Sequence, residues 1–173
     1  DGPFVTNGEF AAPISGLGFD WSLPPSEGIL RLQLRSGETD FPTGTSALEM
    51  RLSGAQTDDS LLLRQVVPVP AGRRLLFRYE SASQGLPRRT GLFWTVRDAQ
   101  TDEPIVESAP IDASEDSWAG ASFAIDGPPD AGFARVELRY ERAEGTARHR
   151  GRILIRRVNL TVAPDSPLAP GRQ

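Results

Sequence analysis

The sequence predicts an all-β fold, a sandwich or barrel of about ten short strands. Three observations predict it. Apolar and polar residues alternate with period two in segment after segment. Gly (17 residues) and Pro (15 residues) are spread along the 173-residue chain and punctuate it as turns. Turn signals return at intervals of roughly 8–12 residues, and no window carries a helical period. The length suits one domain, expected over residues 1–162. Residues 163–173, with three prolines, read as a tail or linker.

The elements follow in order. Phe4-Val5-Thr6 is a short strand leading into Asn7-Gly8, a tight-turn dipeptide. Ala11 to Phe19 is a loop carrying Gly16 and Gly18. Asp20 to Leu23 is a short strand stopped by Pro24-Pro25. Ile29 to Leu34 alternates from Leu30, and Ala47 to Leu52 alternates until Ser53-Gly54. Leu61 to Val69 is a longer apolar run with Gln65 inside it, closed by Pro70-Ala71-Gly72. Between Leu75 and Ser81, Leu75, Phe77 and Tyr79 take one face and Arg78 and Glu80 the other. Gly91 to Arg97 and the brief Ile105-Val106 follow. Asp112 to Ser117 is expected to form one helical turn. Trp118 to Ile125 is a strand closed by Gly127-Pro128-Pro129. Ala134 to Tyr140 puts Val136, Leu138 and Tyr140 on one face, and Ile153 to Val162 completes the fold.

Composition narrows the function. There is no cysteine, hence no disulfide framework, thiolate metal site or cysteine nucleophile. His149 is the one histidine, so no site needs two imidazoles. No apolar run approaches the ~20 residues of a membrane span. The start at Asp1-Gly2-Pro3 reads as a mature form or a domain cut from a longer protein. All 19 basic residues are Arg, which points to a GC-rich bacterial coding sequence. The net charge of −4 argues against a nucleic-acid partner. Asp98 to Asp130 is acidic without Arg, whereas Arg135 to Arg157 is Arg-rich. The asymmetry reads either as two solvated strand faces or as a dipolar surface for a partner.

No catalytic residue is assigned. His149 lies in Arg148-His149-Arg150, with no nucleophile elbow anywhere in the chain. Asp58-Asp59 and Glu115-Asp116 are sequence neighbours that a strand sends to opposite faces, and they read as acidic loop tips. No phosphate-cradling glycine loop occurs.

Several segments then fall in a characteristic order: Asn7-Gly8-Glu9-Phe10, Gly18-Phe19-Asp20-Trp21, Gly44-Thr45-Ser46-Ala47-Leu48, Gln65 to Gly72, Trp118 to Phe123, and the final strand Gly151 to Leu160. This succession resembles bacterial carbohydrate-binding-module-like jelly rolls and the galactose-binding-like sandwiches around them. Gly91-Leu92-Phe93-Trp94 is also similar to domains appended to tetratricopeptide-repeat or exopolysaccharide-related proteins. The resemblance implies an antiparallel β-sandwich of jelly-roll topology and a non-catalytic domain that binds a glycan or cell-surface polysaccharide. The expected setting is the periplasm or the cell exterior.

A sugar site on a sheet uses aromatic faces and hydrogen-bonding side chains. The candidates are Trp21 and Trp94 as platforms, with Arg78, Arg139 and Gln65 as polar contacts. Each has a structural reading beside the functional one. Trp21 and Trp94 suit the core, as do Tyr79 and Tyr140, and Trp118 reads as packing structurally. Arg78 with Glu80 and Arg139 with Glu137 suit cross-strand ion pairs, and Gln65 suits a backbone partner. A protein–protein assembly module that has lost its sugar site is the alternative.

No cofactor is expected. In the resembled domains a structural calcium is held by the residue after Asn-Gly-x-Phe and by acids near the last strand. Here Ala11 and Arg156-Arg157 stand there, too few hard oxygens and two cations. No calcium is therefore expected, and Arg156 or Arg157 should pair with an acid in its place. The melting temperature should be the same in calcium and in chelator; a calcium-dependent rise would refute the assignment.

Overall fold

The computed structural model describes residues 2–38, 45–112, 114–130 and 132–164. Nine strands form among them: β1 (Ile29–Leu34), β2 (Ala47–Ser53), β3 (Asp59–Val69), β4 (Arg74–Gln84), β5 (Leu92–Asp98), β6 (Pro104–Glu107), β7 (Ala119–Asp126), β8 (Gly132–Glu141) and β9 (Arg150–Val162). They make a five-stranded sheet in the order β1-β2-β9-β4-β7 and a four-stranded sheet in the order β3-β8-β5-β6. Every pairing is antiparallel. The fold is a β-sandwich of the jelly-roll kind.

Two expected N-terminal strands shrink to single contacts. Phe4 donates its N–H to Leu160 O at 2.8 Å, and Ser22 exchanges backbone hydrogen bonds with Arg64 at 2.8 and 3.0 Å. The helical turn expected over Asp112 to Ser117 is also corrected. Ser83 N donates to Ser114 O at 2.9 Å and Asp116 N to Ser83 O at 3.1 Å, so residues 114–116 serve as a short addition to β4. A sheet edge offers unpaired backbone groups, and satisfying them outweighs an isolated turn of helix. The expected tail over 163–173 lies outside the described residues beyond Pro164.

Alternation decides what is buried. Leu75, Phe77 and Tyr79 of β4, Leu92, Trp94 and Val96 of β5, and Val136, Leu138 and Tyr140 of β8 all point into one core. Its centre is aromatic. The Trp94 ring lies 5.1 Å from Phe77, 5.8 Å from Tyr79 and 6.3 Å from Trp21, centroid to centroid. Such tilted pairs add about 0.5–1.5 kcal/mol each beyond area burial.

The outward faces are charged, and each carries a buried glutamate. Glu49 of β2 is held by Arg51 at 2.9 Å and Arg152 at 3.4 Å. Glu137 of β8 is held by Arg139 at 2.9 Å and Arg135 at 4.0 Å. Carboxylates without water need such partners.

One irregularity matters for the site. Glu80 of β4 pairs with Arg156 of β9, but Arg78 pairs with Asn159, so β9 spends three residues where β4 spends two. The surplus residue is Arg157, in the left-handed region at φ 51°. This bulge turns Arg157 to the same outward side as Arg156.

The loop between β8 and β9 is tied down by Asp58, which accepts a two-pronged contact from Arg142 at 2.7 and 2.9 Å and a further bond from Arg148 at 2.9 Å. The Arg142 hydrogen bonds, ahead of the other influences, pull the Asp58 carboxyl down to about 2. A depressed folded value means the contribution is present above the unfolded value and is lost as pH falls through the folded one. Urea unfolding between pH 5 and pH 2 should therefore show the wild type losing part of its advantage over Asp58→Asn. Parallel profiles would exclude this role for Asp58.

Candidate functional site

The N-terminal segment and the bulge of β9 fit against each other. Gly8 O accepts from Val158 N at 3.0 Å, just beyond Arg157. A Cβ on Gly8 would sit 1.9 Å from Val158 O, so only glycine allows this approach. Asn7, at φ 50°, clasps Ala12 twice: its Nδ2 donates to Ala12 O at 2.8 Å, and its Oδ1 accepts from Ala12 N at 3.1 Å. Phe10, fully buried, lies 5.8 Å from the Trp21 ring.

Between this segment and the outward face of β9, β4 and β7 runs an open cleft of about 860 Å³. The strand register orders its floor. Asn159, Arg78 and Ser122 form one row across the three strands; Arg156, Glu80 and Gly120 form the next. The outward positions of β7 in these rows, Gly120 and Ser122, are small, as is Ala124 beyond them, and this keeps the cleft open on that side. Asn7, Gly8, Glu9, Ala11 and Ala12 wall the other side.

Charge in the cleft centres on Glu80. Its Oε2 accepts from Arg156 Nε at 2.7 Å and its Oε1 from Arg157 Nη1 at 2.8 Å. Glu9 approaches Arg157 at 4.0 Å. Burial pushes the Glu80 carboxyl up, but the hydrogen bonds from the two arginines outweigh it and the net shift is downward. Arg156 also bonds Thr45 Oγ1 and lies 3.8 Å over the Trp118 ring. Trp118 therefore packs on the outward face of the sheet, against Ala47, Ala82 and Leu154. Tyr79, beneath the cleft, has its phenol pushed up to about 12 by burial and then by the charge of Asp112.

The five residues read as ligand contacts are not brought together. Arg78 is exposed in the cleft, and its side chain makes no ion pair or hydrogen bond with a described residue. Arg139 lies on the outward face of the other sheet, paired with Glu137 and 3.9 Å from Asp59. Trp21 and Trp94 are fully enclosed, so neither presents a ring face to a ligand. Gln65 is buried too; its Nε2 donates to Thr6 O and its Oε1 accepts from Thr6 N, both at 2.9 Å. Trp21 Nε1 donates to Asn7 O at 3.2 Å. Gln65 and Trp21 thus anchor the segment that walls the cleft.

Sequence reasoning missed Arg157 as a cleft residue, because alternation sends neighbouring arginines to opposite faces and a bulge has no sequence signal here. It also missed the exposed aromatics. Phe19 and Phe133 stack at 5.7 Å beside the four-stranded sheet, half in water. The histidine lines a separate hollow of about 420 Å³ with Glu107, Ser108 and Arg142. Ser108 Oγ is engaged there by Trp94 N at 2.9 Å and Ala109 O at 2.7 Å, so it is not poised against the imidazole.

No family model and no curated protein sequence matches the chain. Solved structures do, at low identity. The enzymatically active domain of tailspike protein 4 from bacteriophage CBA120 superposes with a TM-score of 0.63 at 14% identity, over 93% of this chain and 21% of the tailspike chain. A family 16 carbohydrate-binding module superposes with a TM-score of 0.57 at 12% identity, over 91% of this chain and 99% of its own. A family 4 module gives 0.54 at 13%, over 92% and 99%. The chain thus spans about a fifth of the tailspike domain and nearly all of each module. Identities this low establish a shared fold. Among the described residues, no helix is long and apolar enough to cross a membrane.

The wall and the bulge should be separable from the core by mutation. Gln65→Ala should speed amide exchange over residues 4–12 at least severalfold while the β4 and β5 amides stay protected. Gly8→Ala should lower stability by roughly 1–3 kcal/mol through overpacking. Uniform loosening of the whole sandwich by Gln65→Ala would contradict the anchoring role.

Proposed function

We propose that this domain is a non-catalytic accessory module that binds a glycan or cell-surface polysaccharide in the cleft over β9, β4 and β7. The observation that carries the reading is the cleft itself: a preformed open trough on one outward sheet face of a fold shared with carbohydrate-binding modules. Its floor offers guanidinium, carboxylate, amide and hydroxyl groups at strand spacing, suited to the hydroxyls of a chain laid across the sheet. No tryptophan lines it, so recognition rests on hydrogen bonds and charge more than on ring stacking.

A binding role suits the electrostatics better than hydrolysis. A glycosidase needs one carboxyl with a raised pKa as general acid. Glu80, with its two arginine partners, shifts the other way, and Glu9 is exposed beside Arg157.

Affinity electrophoresis through gels containing soluble neutral and acidic polysaccharides tests the proposal. At least one polymer should retard the wild type. Ser122→Phe, which fills the trough from an exposed position, should abolish that retardation. Free migration of the wild type in every gel would remove the proposal.

A further inference from the structure

Resting on that reading, we infer that the cleft selects acidic saccharides, with a sugar carboxylate seated on the guanidinium of Arg78. The inference comes from how charge is distributed in the trough. Both oxygens of Glu80 are taken, one by Arg156 and one by Arg157, and Glu9 adds a second acid on the Arg157 side. The cleft's two arginines therefore differ: Arg157 is neutralised, and Arg78 is not. Arg78 stands in the middle of the floor, exposed, with no acid among the described residues close enough to pair with it. An arginine fork matches a carboxylate with two parallel bonds.

The neighbours of Arg78 specify more than an anion. Asn159 and Ser122 flank it in the same row, one strand spacing to either side, about 4.8 Å away along the row. An amide and a hydroxyl at that distance suit ring hydroxyls adjacent to the carboxylate, as a uronic acid supplies from a single ring. Gly120 in the next row adds no side chain, so a ring bulkier than an isolated oxyanion has space beside Arg78. General attraction to polyanions does not account for such a site, since the whole chain carries a net charge of −4.

The test compares retardation of the full chain in gels of polygalacturonate, alginate and hyaluronan with gels of the same polymers after carboxyl reduction. Neutral xylan and glucan gels and a dextran sulfate gel complete the set. At least one carboxylated polymer should retard the wild type about tenfold or more strongly than its reduced form, the size of one charge-assisted contact. Arg78→Gln should erase that difference. Arg88→Gln, the same charge change on an exposed loop, should keep it. Equal binding of the reduced and carboxylated forms, or binding of neutral polymers only, would overturn acidic selectivity while leaving glycan binding in place. Equal retention on dextran sulfate would reduce the site to a generic polyanion contact and overturn it as well. Binding to none of the polymers would defeat both readings together.

Discussion

The candidate site depends on one surplus residue in β9. Regular pairing would let only one of two successive arginines reach the outward face. The bulge at Arg157 lets both do so, and they close on the two oxygens of Glu80 from different directions. The left-handed backbone at Arg157 costs roughly 1–2 kcal/mol. Two charge-assisted hydrogen bonds and the docking of Gly8 onto Val158 offset it. From that point the N-terminal segment follows, because the bulge supplies the Val158 N–H that Gly8 accepts, and the segment in turn makes the wall of the cleft.

Much of the sandwich was legible because the period-two pattern is physical and local. Leu75, Phe77 and Tyr79 point inward and Arg78 and Glu80 outward, as the alternation of that segment requires. The regular strands were found within three residues of their ends. The first two segments were not, because Phe4-Val5-Thr6 and Asp20 to Leu23 look like strands in isolation but each pairs its backbone with a strand at one residue only. Asp112 to Ser117 was expected to make one helical turn; the open flank of β4 captured residues 114–116 instead.

The site was harder to read. Residues far apart in sequence meet by strand order, which alternation does not encode: Arg78 and Arg139 have the same local pattern yet lie on opposite sheets. Trp21 and Trp94 were ambiguous between platform and core because a bulky ring serves either role, and only the packing places them inside, Trp94 against Phe77 and Tyr79 and Trp21 against Trp94 and Phe10. Gln65 stood out as a polar residue in an apolar strand; its partner is the Thr6 backbone. What sequence reasoning could not supply was the inventory of pairing. Glu49, Glu137 and Glu80 each consume arginines, and only after they are satisfied does Arg78 emerge as the charge left over in the cleft.

The bulge also sets what kind of change this surface can absorb. Side chains at 78, 122 and 159 are outward and can be exchanged while the core behind them stays as it is. A change in the length of β9 is a different matter. Removing one residue beside Arg157 would leave two residues of β9 against two of β4, so Asn159 would keep its place across from Arg78, but the bulge would be gone and with it the second arginine on the outward side beside Glu80. Ligand preference is thus free to drift by substitution, whereas the spacing between Arg156 and Asn159 acts as a fixed measure that the surrounding sequence must keep.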